Sequence, residues 1–388
     1  MRSESGSPNA HAEPTRRTAT TARYRDADHP LGRGGQAVTD PTGPDADGDP
    51  IATDGDPIDR AAAFTAATTG ADVELAYAGR ETFLKGDPRA IDDVADVDVA
   101  VYGVPYDGAV SNRPGARYGP TAIRRASGWW AYLSDYKGAL TNVQTGAQVD
   151  FDDLAVADVG DVPVFPMDAE TTAASITAHA ATLATQTMPV MLGGDHYCTY
   201  PAVRGLLEGS EYERVGLLQI DAHSDTVSES PVFGTDFHGS STARIADLPG
   251  VDYGSISQVG IRGYESPEFF EFADERGLSV YTMRDVHDRG IQRVVSEAIA
   301  SAAADTDAVY VTFDIDAVDP SVAPGTGTPT PGGLTAHQAL EVMRVVGGHD
   351  AVGAVDLMEV APQYDPTEGT ERLASYLLVS LLEGLFAR

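Results

Sequence analysis

From about residue 97 onward, short apolar runs rich in β-branched residues punctuate the chain. They are Val97–Val104, Leu154–Val159, Pro189–Leu192, Val215–Ile220, Ser257–Ile261, Leu278–Tyr281, Ala308–Phe313 and Ala351–Leu357. Each run is too short to be a typical helix, and segments with apolar residues at helical spacing separate them. Continuous apolar runs alternating with helices predict a parallel sheet covered on both faces, because a strand with one face in water would alternate with polar residues. The pattern therefore predicts a single three-layer α/β domain of eight strands, spanning residues 71–388.

Residues 1–70 have a different texture. Asp, Gly, Pro, Thr and Ala dominate, and the stretch Asp40–Asp59 is turn formers and acids with almost nothing to bury. Such a segment predicts a disordered acidic tail or linker.

Composition narrows the function classes. Hydrophobic residues make up 42% of the 388, enough for a large core, while no apolar run approaches the ~20 residues that span a bilayer. Asp and Glu number 59 against 26 Lys and Arg, a net charge of −33. That surface repels nucleic acid phosphates, and no basic stripe offsets it. The acidity fits a chain kept hydrated in the concentrated salt of a halophile's interior, where self-repulsion is screened. The single cysteine, Cys198, rules out an intrachain disulfide and fits a cytoplasmic location.

Polar clusters follow four of the runs. Gly193-Gly194-Asp195-His196 follows the third, Asp221-Ala222-His223-Ser224-Asp225 the fourth, Asp314-Ile315-Asp316 the seventh, and Glu359 the eighth. Open parallel sheets carry their sites at the carboxyl ends of strands, so these clusters are expected on one edge. Two imidazoles and several carboxylates can ligate hard or borderline divalent cations. Asp314 and Asp316 share one face of an extended chain. Taken singly, each residue has a plainer reading: a turn histidine, a helix-capping Asp, an acidic loop. Together, buried without a cation, they would carry a severe desolvation cost. A pair of cations removes that cost and can activate a water between them. Ligation rich in carboxylate and free of thiolate favours Mn²⁺ over structural Zn²⁺, with Ni²⁺ or another divalent cation as alternatives.

These stretches resemble the three signatures of the ureohydrolase (arginase/agmatinase) family. The third continues as Asp314-Ile-Asp-Ala-Val-Asp-Pro-Ser-Val-Ala-Pro-Gly-Thr-Gly-Thr-Pro329, which is long and specific. Gly103-Val-Pro-Tyr-Asp-Gly108, Ser111-Asn-Arg-Pro-Gly-Ala-Arg-Tyr-Gly-Pro120 and Met358-Glu-Val-Ala-Pro-Gln-Tyr-Asp365 resemble the agmatinase branch. The resemblance covers about residues 75–388. It implies an arginase/deacetylase-like fold with an eight-stranded, mostly parallel sheet, and a binuclear Mn²⁺ hydrolase that releases urea from a small guanidino substrate, agmatine first. It implies one cation held by His196, Asp221, Asp225 and Asp314, and another by His223, Asp221, Asp314 and Asp316. Glu359 would pair with the guanidinium, and His238 would carry a proton to the leaving amine. Asp236 and Asn112 would border the substrate, and the chain would form a trimer or hexamer. Ser240-Ser241-Thr242 depart from the family pattern after His238-Gly239, at a segment that borders the substrate mouth in the family. This leaves guanidinobutyrate or another guanidino acid, guanidine and formimidoylglutamate open as substrates. An inactive metal-binding scaffold, or a mononuclear zinc deacetylase of the same architecture, are the readings from other classes.

Overall fold

The computed structural model describes residues 75–151 and 155–386. The expected tail, residues 1–70, lies outside the described residues. Each of the eight apolar runs becomes a strand: β1 (Val99–Gly103), β4 (Val156–Asp161), β5 (Met188–Leu192), β6 (Val215–Ile220), β7 (Ile256–Ile261), β8 (Ser279–Thr282), β9 (Ala308–Asp314) and β10 (Val352–Met358). Between β1 and β4 lies a hairpin that the pattern did not predict, β2 (Leu140–Thr141) with β3 (Gln148–Val149). Two residues per strand leave no period to read.

The large sheet runs β4-β1-β5-β10-β9-β6-β7-β8. Among the described residues every pairing in it is parallel. Side chains alternate between its faces and feed two separate cores. Val99 and Val101 join one, and Ala100 and Tyr102 the other; Val309, Val311 and Phe313 join the first, and Tyr310 the second. Helices α1 (Gly119–Lys137), α6 (Met283–Arg289), α7 (Ile291–Ala302), α8 (Ala336–Gly347) and α9 (Gly369–Phe386) bury their apolar stripes on the first face. Helices α2 (Ala169–Ala184), α3 (Thr199–Gly209), α4 (Ser241–Ala246) and α5 (Phe269–Arg276) cover the second. Local chemistry sets the helix starts. Asp168 caps α2 through Thr171 N–H, and Thr335 with Gln338 forms a reciprocal capping box at α8. Among the described residues, no helix is long and apolar enough to cross a membrane.

The strand order matters for the site. The chain lays down β5, then β6 to β8, and returns last with β9 and β10 to fill the gap between β5 and β6. The four strands that precede the polar clusters, β5, β10, β9 and β6, thereby become consecutive neighbours in mid-sheet. Their carboxyl ends deliver His196, Glu359, Asp314 and Asp221 to one edge.

Candidate active site

Close backbone packing presents His196. At Gly194 an added Cβ would lie 1.7 Å from the Tyr106 carbonyl oxygen, so only glycine passes there. Asp195 locks the turn: its Oδ2 accepts from Ala109 N–H at 2.8 Å and its Oδ1 from Tyr197 N–H at 3.2 Å. Burial, and then the charge of Glu359, push its pKa up to about 8. Asp195 is thus a turn brace, and so is Asp319, which accepts from Ser321, Gly332 and Gly333 N–H groups.

His196 is 1% exposed. Its Nε2 stands 2.8 Å from Thr312 Oγ1. Its Nδ1 faces Asp221 Oδ2 at 3.0 Å, Asp314 Oδ2 at 3.1 Å and Asp225 Oδ2 at 3.2 Å. Despite these distances, Nδ1 has no hydrogen-bond partner of good geometry. On the neighbouring side, His223 Nδ1 lies 3.1 Å from Asp316 Oδ2 and 3.6 Å from Asp221 Oδ1, while its Nε2 meets Thr330 Oγ1 at 3.1 Å. Two groups of convergent donor atoms result, His196–Asp221–Asp314 and Asp221–His223–Asp316, each with its atoms within 4.8 Å of one another. Asp221 belongs to both. Asp314 belongs to the first, and its Oδ1 also accepts from Asp316 N–H at 2.7 Å.

Packing so many carboxylates together out of water disfavours their charged forms. Burial and the charge of Asp221 lift Asp225 to about 7 and raise Asp316, while burial and Asp316 raise Asp314. Asp221 moves the other way, because hydrogen bonds and charge from His196 and His223 outweigh its burial. His223 is lifted to about 12, the attraction of Asp316 and Asp221 outweighing desolvation. Four carboxylates outnumber two imidazoles here, and an unpartnered imidazole nitrogen points at three carboxylate oxygens. Divalent cations fit both features. The backbone here is strained as well: Asp225 and Glu359 hold φ of 51° and 62°, a region side chains rarely adopt.

Glu359 lies beside the cluster and is 1% exposed. Its Oε1 accepts from His196 N–H at 3.1 Å and meets His238 Nδ1 at 2.9 Å. Its Oε2 is buried without a partner. Gly327 leaves open the space in front of it, since a Cβ there would come within 3.6 Å of Oε2. A planar cation presenting N–H groups suits that oxygen. His238 bridges Glu359 and Ser111: its Nε2 accepts from Ser111 N–H at 3.0 Å and lies 2.6 Å from Ser111 Oγ.

The structure thus brings eight of the sequence-predicted residues together: His196, Asp221, His223, Asp225, Asp314, Asp316, His238 and Glu359. The other two lie outside these donor groups and hold partners of their own. Asn112 Nδ2 donates to the Gly327 carbonyl at 3.0 Å, and Asp236 accepts from Tyr197 OH at 3.2 Å and pairs with Arg244 at 3.4 Å. Ser240, Ser241 and Thr242, expected at the mouth, are buried. Their hydroxyls turn inward: Ser241 to Asp225 Oδ2 at 3.2 Å, and Thr242 to Gln219 Oε1 at 2.7 Å, with Gln219 Nε2 donating to Asp221 Oδ2 at 2.8 Å. Ser241 thus braces Asp225 directly and Thr242 supports Asp221 through Gln219, while Ser240 donates to the Thr235 and Phe237 carbonyls. Sequence reasoning also missed Ser111, Thr312, Thr330, Gln219 and Asp356. The usable signal was a polar residue inside a fully apolar run: Gln219 in β6, Thr312 in β9, Asp356 in β10.

Comparison with known proteins agrees with this geometry. The Arginase family matches residues 97–383. The agmatinase of Chromobacterium violaceum is 39% identical over 315 residues, 81% of this chain and 91% of that protein. The human mitochondrial guanidino acid hydrolase is 36% identical over 74% of this chain and 78% of its own length. Among solved structures, proclavaminate amidino hydrolase from Streptomyces clavuligerus superposes with a TM-score of 0.69 at 33% identity, covering 81% of this chain and all of that one.

Proposed function

The chain belongs to the arginase family of binuclear metal-dependent amidinohydrolases, and from that premise we propose that it hydrolyses agmatine to putrescine and urea. His196, Asp221, Asp225 and Asp314 would hold one cation, and His223, Asp221, Asp314 and Asp316 the other. The hard, carboxylate-rich donor set favours Mn²⁺. When bound, the cation pair supplies charge neutralisation and Lewis-acid activation of water. The protein's own residues do the rest. Glu359 Oε2 takes the guanidinium and fixes its plane. The amidine carbon gains the water oxygen, the bond from carbon to the alkyl nitrogen breaks, and the two protons that water gives up end on the leaving amine, one of them passed by His238. We further propose a cytoplasmic homo-oligomer, trimeric or hexameric, in keeping with the family.

One observation carries the choice of agmatine over a guanidino acid. A guanidino acid needs a cation for its carboxylate, and the loop beside Glu359 offers Arg113 and Arg117. Both are committed. Arg113 donates to the Thr326 carbonyl at 2.8 Å and the Gly327 carbonyl at 3.2 Å, and lies over the Tyr364 ring at 4.3 Å. Arg117 is paired with the fully buried carboxylate of Asp107. Asp236 contributes less to attracting an ammonium than its charge suggests, because Arg244 offsets it.

The test is urea release at one salt concentration, with Mn²⁺ and Ni²⁺ compared, over agmatine, guanidinobutyrate, guanidine and formimidoylglutamate. Agmatine is expected to give the highest kcat/KM. Its margin over guanidinobutyrate is expected to be at least about tenfold, the cost of an unpaired carboxylate at a polar mouth. A reversed order would reject agmatine and leave the urea-forming chemistry standing.

A further inference from the structure

A metal-ligating imidazole must present a bare nitrogen, so something has to decide which of its nitrogens carries the proton. Around His196 that decision is set deep in the sheet. Asp356 sits in the middle of β10, 0% exposed, between Val355 and Leu357. Its Oδ2 accepts from Thr199 Oγ1 at 2.8 Å and from Tyr310 OH at 2.9 Å. Its Oδ1 is buried with no partner of its own. Thr312 Oγ1 stands 2.8 Å from His196 Nε2 and 3.3 Å from Thr199 Oγ1, which links it to Asp356.

We propose that Asp356, acting through Thr199 and Thr312, is a positioning residue that keeps the His196 proton on Nε2 and so leaves Nδ1 free to face the three carboxylates as a ligand. The argument is a count of protons. A carboxylate only accepts. Thr199 and Tyr310 each spend their one hydroxyl proton on Asp356. Thr199 Oγ1, its own proton committed, can then only accept from Thr312. Thr312 so offers His196 a lone pair, and Nε2 brings the proton. Without Asp356 the ring has a competing solution. Thr312 would donate to Nε2, and Nδ1 would carry a proton aimed at Asp221, Asp225 and Asp314, relieving their repulsion while filling the cation's place. With Asp356 in place that arrangement loses its donor, and a cation displaces only the proton that the three carboxylates draw to Nδ1. This inference rests on the two-cation reading above for its functional meaning, though not for its geometry.

Three variants of the full chain test it: Asp356→Asn, whose amide can donate to Thr199 and release its proton; Thr312→Val, which removes the relay at constant shape; and Thr312→Ser, which restores the hydroxyl. Mn²⁺ titration should show one of two equivalents weakened by roughly 10–100-fold in Asp356→Asn and Thr312→Val, with the other unchanged. Thr312→Ser should bind like the wild type. Turnover lost at limiting Mn²⁺ should return at saturating Mn²⁺, which damaged packing would not allow. In metal-free protein with ¹⁵N-labelled histidine, taken to a pH above the raised pKa of the His196 ring and assigned by difference against His196→Gln, the neutral ring of the wild type should show Nε2–H and that of Asp356→Asn a shift toward Nδ1–H. Wild-type affinity at both equivalents in Thr312→Val would overturn the proposal, as would an unchanged tautomer in Asp356→Asn. Should Asp356→Asn fail to fold, Thr312→Val carries the metal test alone. Should the wild type take up no pair of Mn²⁺ ions, the two-cation reading falls, and the tautomer measurement still decides the relay.

Discussion

Asp221→Asn is expected to empty both cation positions and to lower kcat/KM by roughly 10³-fold or more. Asp221 is the side chain common to the two donor groups, its Oδ2 facing His196 Nδ1 at 3.0 Å and its Oδ1 facing His223 Nδ1 at 3.6 Å. An amide replaces one charged oxygen with a donor. A charged contact worth ~2 kcal/mol is then weakened at each ion, and about 4 kcal/mol across the pair corresponds to the stated loss. Asp221 also accepts from Gln219 Nε2 and His223 N–H, so the introduced amide would oppose those donors too. Elemental analysis after Mn²⁺ loading should fall from about two equivalents to fewer than one, alongside the loss of urea release. Asp225→Asn is the matched control, since Asp225 faces His196 and not His223. It should weaken one equivalent only. Two tightly held equivalents in Asp221→Asn would show that the acid is not shared, and the assignment of the centre would have to change.

Much of this centre was legible in the sequence because its signals are local. The eight runs announced themselves by length and β-branching, and His196, Asp221, Asp314 and Glu359 each follow a run directly. What could not be read was adjacency. Nothing in the local pattern of β9 and β10 says that they insert between β5 and β6, because strand order is set by long-range pairing. Partners arriving from elsewhere in the chain were hidden for the same reason. The loop Thr226–Thr242 holds Glu229 and Asp236 and no Lys or Arg, so its local sequence reads as acidic. Its counter-ion, Arg244, stands two residues beyond the loop, on α4, and turns back to Asp236. The departure at Ser240-Ser241-Thr242 looked like a change in substrate contact. All three are instead buried, Ser241 on Asp225, Thr242 on Gln219, and Ser240 on the Thr235 and Phe237 carbonyls. A serine in a sequence does not reveal which side of a ligand it serves.

His238→Asn is expected to keep both cations and to lower kcat by roughly 10²–10⁴-fold, the range of a lost general acid. The ring is held at both nitrogens, by Glu359 Oε1 at Nδ1 and by Ser111 at Nε2. These partners pull in opposite senses. Ser111 N–H donates to Nε2, which only an unprotonated nitrogen can accept. Burial favours the neutral ring as well, yet the hydrogen bond and charge of Glu359 outweigh it and lift the pKa to about 9. The Ser111 hydroxyl can donate or accept, so it gives Nε2 a partner in either protonation state. A guanidinium arriving at Glu359 Oε2 shares the carboxylate that stabilises the imidazolium. Binding then lowers the ring's hold on its proton at the moment the leaving nitrogen needs one. The sign of the pH effect follows. In the free enzyme the ring is charged below about pH 9 and loses its proton above it, so the alkaline limb of kcat/KM belongs to His238. Bound cations add positive charge nearby and move that limb to lower pH. In His238→Asn the limb should vanish while Mn²⁺ stoichiometry stays at the wild-type value, since the variant removes no donor of either group. Asn is shorter than His but keeps a donor for Glu359, which separates loss of the proton from loss of the hydrogen bond. An unchanged alkaline limb would assign the proton to another group and leave His238 as the brace between Glu359 and Ser111.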